Sequence, residues 1–131
     1  MTNDKKILIA DDEKDTRELV GDMIGMDFSD YNIEFCENGN SLKNRLEKIV
    51  GKETEIKLVL TDNEMPGYQG SSLIREYARK INAPMILVYA GDNEIGEQAV
   101  KDGAFAYLKK PYRFSTLSEI VGRALNRGDG K

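Results

Sequence analysis

The chain contains no histidine and no tryptophan, and only one cysteine. Without histidine there is no imidazole for acid–base chemistry near neutral pH, none to ligate a metal, and none to carry a phosphoryl group within this chain. A single cysteine closes no internal disulfide. Cys36 falls in an apolar tract, where it reads as a small core residue rather than a reactive thiol. Long hydrophobic runs are also missing: nothing approaches the ~20 apolar residues of a membrane-spanning helix, so no membrane role is expected. Residues 1–6 are polar and lead straight into Ile7-Leu8-Ile9, without the apolar stretch and cleavage site of a signal peptide. A cytoplasmic location is the expectation. The net charge is −4 and no basic run stands out, so nucleic acid has no electrostatic footprint to bind.

What is present is a sequence of 131 residues, 40% hydrophobic and 32% charged, which suits a single folded domain with a real core. One domain over residues 1–131 is expected, with its core at about 5–127. Strand-like and helix-like patterns alternate along it. Residues 7–10 form an apolar run ending in Asp11-Asp12. Leu19, Val20, Met23 and Ile24 recur at helical spacing. Residues 31–36 alternate, as in a strand exposed on one face. Leu42, Leu46, Ile49 and Val50 mark a second helix, and Leu58-Val59-Leu60 a third strand running into Thr61-Asp62. Leu73, Ile74, Tyr77, Ala78 and Ile81 mark a third helix, residues 85–89 a fourth strand, and Ile95, Ala99 and Val100 a short fourth helix. Residues 105–108 make a fifth strand. Leu117, Ile120, Val121, Ala124 and Leu125 mark a last helix, with Thr116 and Glu119 spaced as a capping box. Residues 128–131 are polar and expected to fray. Gly96 sits inside the short fourth helix, where glycine costs roughly 1 kcal/mol relative to alanine, so a loosely held, movable helix is one expectation.

Such alternation implies an α/β fold, a parallel sheet covered by helices on both faces. Parallel strands all end at one edge. Asp11 and Asp12 end the first strand, Asp62 the third and Tyr89 the fourth, while Lys109-Lys110 follow the fifth. Taken singly, adjacent acids after a strand suit helix capping, and paired lysines suit a solvated surface. Together they put three carboxylates and a lysine around one crevice, where open α/β sheets bind ligands. Clustered carboxylates repel unless a cation lies among them. An all-oxygen donor set favours a hard cation, above all Mg²⁺. A positioned lysine would offset charge on a phosphoryl group.

These residues carry a resemblance to a family. The runs Ile7-Leu8-Ile9-Ala10-Asp11-Asp12-Glu13, Asp62-Asn63-Glu64-Met65-Pro66-Gly67-Tyr68-Gln69-Gly70 and Gly103-Ala104-Phe105-Ala106-Tyr107-Leu108-Lys109-Lys110-Pro111 resemble the response-regulator receiver domain of two-component signalling, from Lys5 to about Leu125. The resemblance implies a (βα)5, flavodoxin/CheY-like three-layer sandwich with a parallel five-stranded sheet of order 2-1-3-4-5. It implies that Asp62 is phosphorylated by a histidine kinase or phosphotransfer protein. Asp12, Asp62 and the Glu64 carbonyl would ligate Mg²⁺, with Asp11 acting through a water. Lys110, rather than Lys109, would be the phosphoryl-contacting lysine, and Lys110–Pro111 a cis bond, against a base rate of about one X–Pro bond in twenty. The backbone N–H groups of Asn63 and Ala90 would contact the phosphoryl group, and Tyr107 would be the aromatic that changes rotamer. The surface of the fourth helix, fifth strand and fifth helix would meet a downstream protein. A monomer is expected, able to pair on activation, and the polar tail suits a free-standing receiver.

The chain departs from the family at the end of the fourth strand, where Tyr89-Ala90 stands in place of a Ser or Thr followed by Ala. A tyrosine hydroxyl lies several ångströms farther from its backbone, so phosphorylation at Asp62 is expected to survive while its coupling to Tyr107 is altered. The side chain of Glu64 is expected to tune hydrolysis of the phosphoaspartate. A receiver-like binding module working without phosphorylation is the alternative. A haloacid-dehalogenase-type phosphatase would need a nucleophilic Asp on the first strand with a second Asp two residues later, and a dinucleotide-binding fold a glycine-rich turn after that strand; here the two aspartates are adjacent and no such turn follows.

Overall fold

A computed structural model describes residues 4–128. The elements alternate without exception: β1 (Lys6–Ala10), α1 (Lys14–Asp27), β2 (Asn32–Cys36), α2 (Gly39–Ile49), β3 (Ile56–Asp62), α3 (Gly70–Tyr77), β4 (Met85–Tyr89), α4 (Asn93–Lys101), β5 (Ala106–Lys109) and α5 (Phe114–Gly128). The sheet is parallel, with strand order β2-β1-β3-β4-β5. This is the α/β, CheY-like three-layer arrangement expected from the sequence.

Each strand serves two cores because successive side chains point to opposite faces. On one face Leu8, Val59, Leu87 and Tyr89 pack with Leu42 and Leu46 of α2, Leu73, Ile74 and Tyr77 of α3, and Ala99 of α4. On the other, Ile7, Ile9, Leu58, Leu60, Ile86 and Val88 pack with Val20 and Ile24 of α1 and Leu117, Val121 and Ala124 of α5. The strand β4 and residues 58–60 of β3 therefore read as continuous apolar runs, buried from both sides.

Several local expectations change. In α1 the buried stripe is Val20, Gly21 and Ile24, whereas Leu19 is 59% exposed. Thr116 lies inside α5, which begins at Phe114, so Thr116 and Glu119 do not form the helix-starting cap. A capping box does occur at α2: Asn38 Oδ1 accepts from the Ser41 N–H at 2.8 Å, and Ser41 Oγ accepts from the Asn38 N–H at 3.3 Å. The tail at 129–131 lies outside the described residues, and Gly128 is the last residue of α5.

Gly96 is a packing requirement rather than a weak point. It is buried, and a Cβ there would lie inside the Tyr107 ring, meeting its Cγ and Cδ1, the rigid root of the side chain. Gly96→Ala is therefore expected to destabilise the protein by about 1–3 kcal/mol through overpacking, although helix propensity alone favours alanine by roughly 1 kcal/mol. Urea denaturation decides the sign, and a more stable variant would show that α4 yields easily.

Candidate functional site

The register of the sheet assembles the site. Ala10 pairs with Thr61, Asp62 with Val88, and Tyr89 with Lys109. Asp11 and Lys110 each follow their strand by one residue, so both lie at the same edge as Asp62. Carboxylate oxygens of Asp11, Asp12 and Asp62 all fall within 4.8 Å of one another. Asp11 and Asp62 are buried and Asp12 is exposed, so the cluster opens outward through Asp12.

Lys110 Nζ lies 2.7 Å from Asp62 Oδ1. Apart from that ammonium, this buried oxygen has no hydrogen-bond partner. Burial pushes the Asp62 carboxyl up to about 6, against the lowering pull of Lys110; the charges of Asp11 and Glu64 add to the rise. Burial also raises Asp11, opposed by the Glu13 N–H that donates to Asp11 Oδ1 at 3.0 Å and by the Lys110 charge. For Lys110, burial disfavours the cation, but the hydrogen bond and charge of Asp62 outweigh it, and its pKa rises. The site is thus an anionic pocket with a single ammonium in it. Its all-oxygen donors fit a hard divalent ion, because one ammonium faces three clustered carboxylates.

The other expected residues divide. Glu64 is exposed next to the acids and its carboxylate accepts from Asn63 Nδ2 at 3.2 Å. Lys109 is turned away, donating to Asn93 Oδ1 at 3.0 Å. Ala90 is exposed at the strand end. The Lys110–Pro111 peptide is cis. Two assignments need correction. The Asn63 N–H donates to the Val88 carbonyl at 2.8 Å, so in this state it is not free for a phosphoryl group. Tyr89 is fully buried in the α2–α3–α4 core, because the strand pleat points it away from the acids, while Val88 lines the site. Its hydroxyl is enclosed without a hydrogen bond of normal geometry. Burial raises its pKa, with Tyr107 adding to the rise and the Gly96 backbone opposing it. The Tyr89 and Tyr107 rings stand 5.9 Å apart and tilted at 57°.

The structure adds residues that sequence reasoning missed. Thr16 and Tyr112 line a small cavity with Asp11, Asp62, Val88 and Lys110. Burial raises the Tyr112 hydroxyl, with Lys110 opposing. Arg17 Nη1 donates to the Asp11 carbonyl at 2.8 Å and fixes the start of the acidic turn. The position of Tyr112 just after Lys110-Pro111 was the available signal.

Comparisons with known proteins agree with this geometry. The response regulator receiver domain family matches residues 7–122. The chain is 31% identical over 112 residues to the transcriptional regulatory protein ResD of Bacillus subtilis, covering 85% of this chain and 44% of that protein. It is 28% identical over 121 residues to a cyclic di-GMP phosphodiesterase of Thermotoga maritima, covering 91% of this chain and 30% of that protein. The chain thus spans less than half the length of these relatives. A solved receiver domain protein from Clostridium thermocellum matches with a TM-score of 0.82 at 27% identity, covering 95% of this chain and 97% of that one. A CheY-like receiver from Methanospirillum hungatei, at 22% identity with a TM-score of 0.80 over 97% of this chain and 98% of that one, shows the shared fold. From sequence and fold together, the chain belongs to the response regulator receiver domain family of two-component signalling.

Proposed function

We propose that this protein is a phosphoacceptor that takes a phosphoryl group onto Asp62 from a histidine kinase or phosphotransfer protein. The observation carrying this reading is the pocket itself: a buried carboxylate at a strand end, 2.7 Å from one lysine and clustered with two further acids. In the transfer, an Asp62 oxygen attacks phosphorus as the phosphorus–nitrogen bond to the donor imidazole breaks. Lys110 offsets charge on the phosphoryl oxygens. Asp12, Asp62 and the Glu64 carbonyl would hold Mg²⁺, with Asp11 acting through a water, and the ion would supply charge neutralisation to the incoming phosphoryl group. Glu64, exposed beside the site, would tune hydrolysis of the phosphoaspartate. The chain acts as a single receiver domain and not as a turnover enzyme; the phosphodiesterase name belongs to a relative of which it spans 30%. We place it in the cytoplasm, as a monomer able to pair on activation, signalling through the α4-β5-α5 face to a downstream protein, without nucleic acid or membrane. No helix among the described residues is long and apolar enough to cross a membrane.

Intact-mass analysis after incubation with a small phosphodonor and Mg²⁺ tests this. One added phosphoryl group, absent with chelator and in Asp62→Asn, is the expected result. Glu64→Gln and Glu64→Ala should then lose the group at altered rates; rates equal to the parent's would remove Glu64 from the account. No mass gain would favour the second reading, a phosphorylation-independent binding module, for which the enclosed Tyr89 is the supporting observation.

A further inference from the structure

The loop that leaves Asp62 is gripped from outside the pocket. The first turn of α2 does this, at residues remote from the acids. The Gly39 N–H donates to the Pro66 carbonyl at 2.9 Å, and a Cβ at Gly39 would lie inside the Tyr68 backbone. Gly67 has φ +91° and faces the Asn40 amide. One turn further along α2, Lys43 stands between two rings: its Nζ lies 5.2 Å from the Tyr68 centroid and 5.0 Å from that of Tyr77 in α3. It also donates to Tyr77 Oη at 2.8 Å and to Glu76 Oε1 at 3.2 Å. The Tyr77 hydroxyl in turn donates to Glu47 of α2. An ammonium over an aromatic face is attracted by the ring quadrupole, and this one is shared by a loop ring and a helix ring.

We infer that Lys43 is a positioning residue for the phosphoacceptor site: its ammonium straps Tyr68, and with it the outer half of the 63–69 loop, to the α2–α3 pair. The opposite end of this loop is already fixed, since the Asn63 carbonyl and Oδ1 accept from the Gly70 and Ser71 N–H groups at 3.0 and 2.9 Å. Glu64 to Gly67 lie between the two anchors, with the Gly39–Pro66 hydrogen bond as a further hold. The Glu64 carbonyl that the metal would need lies in this span, so the strap sets how well formed that ligand is before the ion arrives. The metal half of this inference rests on the Mg²⁺ reading above; the loop half does not.

The test uses Lys43→Met, which keeps an unbranched side chain one atom shorter and without the charge, and Lys43→Arg, which keeps the cation. In the metal-free protein, amide exchange at Glu64, Met65, Gly67 and Tyr68 should be faster in Lys43→Met and near the parent rate in Lys43→Arg. Calorimetric titration should show Mg²⁺ bound about two- to fivefold more weakly by Lys43→Met, matching the ~0.5–1 kcal/mol of a solvent-accessible cation–π contact. Unchanged loop exchange would overturn the inference, whatever the ion does. So would faster exchange spread evenly over β1 and β3, which would make Lys43 a general stabiliser. If the parent binds no Mg²⁺, the metal reading fails on its own, and the exchange data still decide the strap.

Discussion

Asp62→Asn is expected to raise the stability of the metal-free protein at pH 7 by up to about 3 kcal/mol while abolishing phosphorylation. Asp62 is 6% exposed, and its carboxyl is pushed from 3.8 to about 6, chiefly by burial. The folded protein therefore holds the Asp62 proton more tightly than the unfolded chain does. The group is neutral in both states below about pH 4, and costs nothing there. Between about pH 4 and 6 the unfolded chain ionises first and the folded state loses relative stability. Above about 6 the full penalty is present, and two pKa units correspond to about 2.7 kcal/mol. Loss of the partner for Lys110, which remains 35% exposed, reduces the gain only modestly. Urea denaturation of parent and variant with chelator, from pH 4 to 7.5, should give a gap that opens through this window and then levels. Saturating Mg²⁺ should narrow it by stabilising only the parent. A gap independent of pH would mean that Asp62 is not the strained group.

Tyr89 carries the second large effect, and two substitutions there should diverge. Tyr89→Phe removes an enclosed hydroxyl that makes no normal hydrogen bond. It is expected to leave stability unchanged or raise it by about 1 kcal/mol. Tyr89→Thr restores the small hydroxyl usual in the family but empties a fully buried ring site next to Tyr107, α4 and Ala99. A loss of about 2–4 kcal/mol is expected, as for other large-to-small core changes. The cavity also gives Tyr107 somewhere to turn. With a phosphate mimic bound, amide shifts across α4 and β5 should be small in the parent and larger in Tyr89→Thr. Equal and large shifts in both would show that the aromatic pair does not restrain the switch.

Much of this fold was legible because its signals are local. Apolar runs such as 85–89 and helix stripes such as Leu42, Leu46 and Ile49 need no partner to be read, and a parallel α/β order then places Asp11, Asp12, Asp62 and Lys110 at one edge. What escaped depended on orientation or on contacts between distant segments. The sequence puts Tyr89 at the strand end, but the pleat turns its ring under α4. Gly96 looked like a soft spot because the Tyr107 ring that fills the space of its missing Cβ comes from another element. The Asn63 N–H looked available because its acceptor, Val88, lies on β4. The Lys43 cluster joins α2 to α3 across more than thirty positions; Lys43, Glu76 and Tyr68 are ordinary polar or surface residues when taken alone, and Tyr77 reads only as core. The cap at Thr116 failed for a simpler reason: α5 starts earlier, so a correct spacing sat one half-turn inside the helix.

The strand order has a consequence for when this protein becomes reactive. The neighbours β1 and β3 are separated in sequence by α1, β2 and α2, and Lys110 arrives from β5 at the far edge. No contiguous stretch of the chain contains the acidic cluster and its lysine at working distance. A ribosome-bound or half-unfolded chain therefore displays Asp62 as an ordinary solvated carboxylate, indistinguishable from the other acids of the sequence. On the function proposed above, competence to receive a signal is in this sense a quality check on the protein's own assembly: only a chain whose first, third and fifth strands have all found their places would offer a donor anything to recognise.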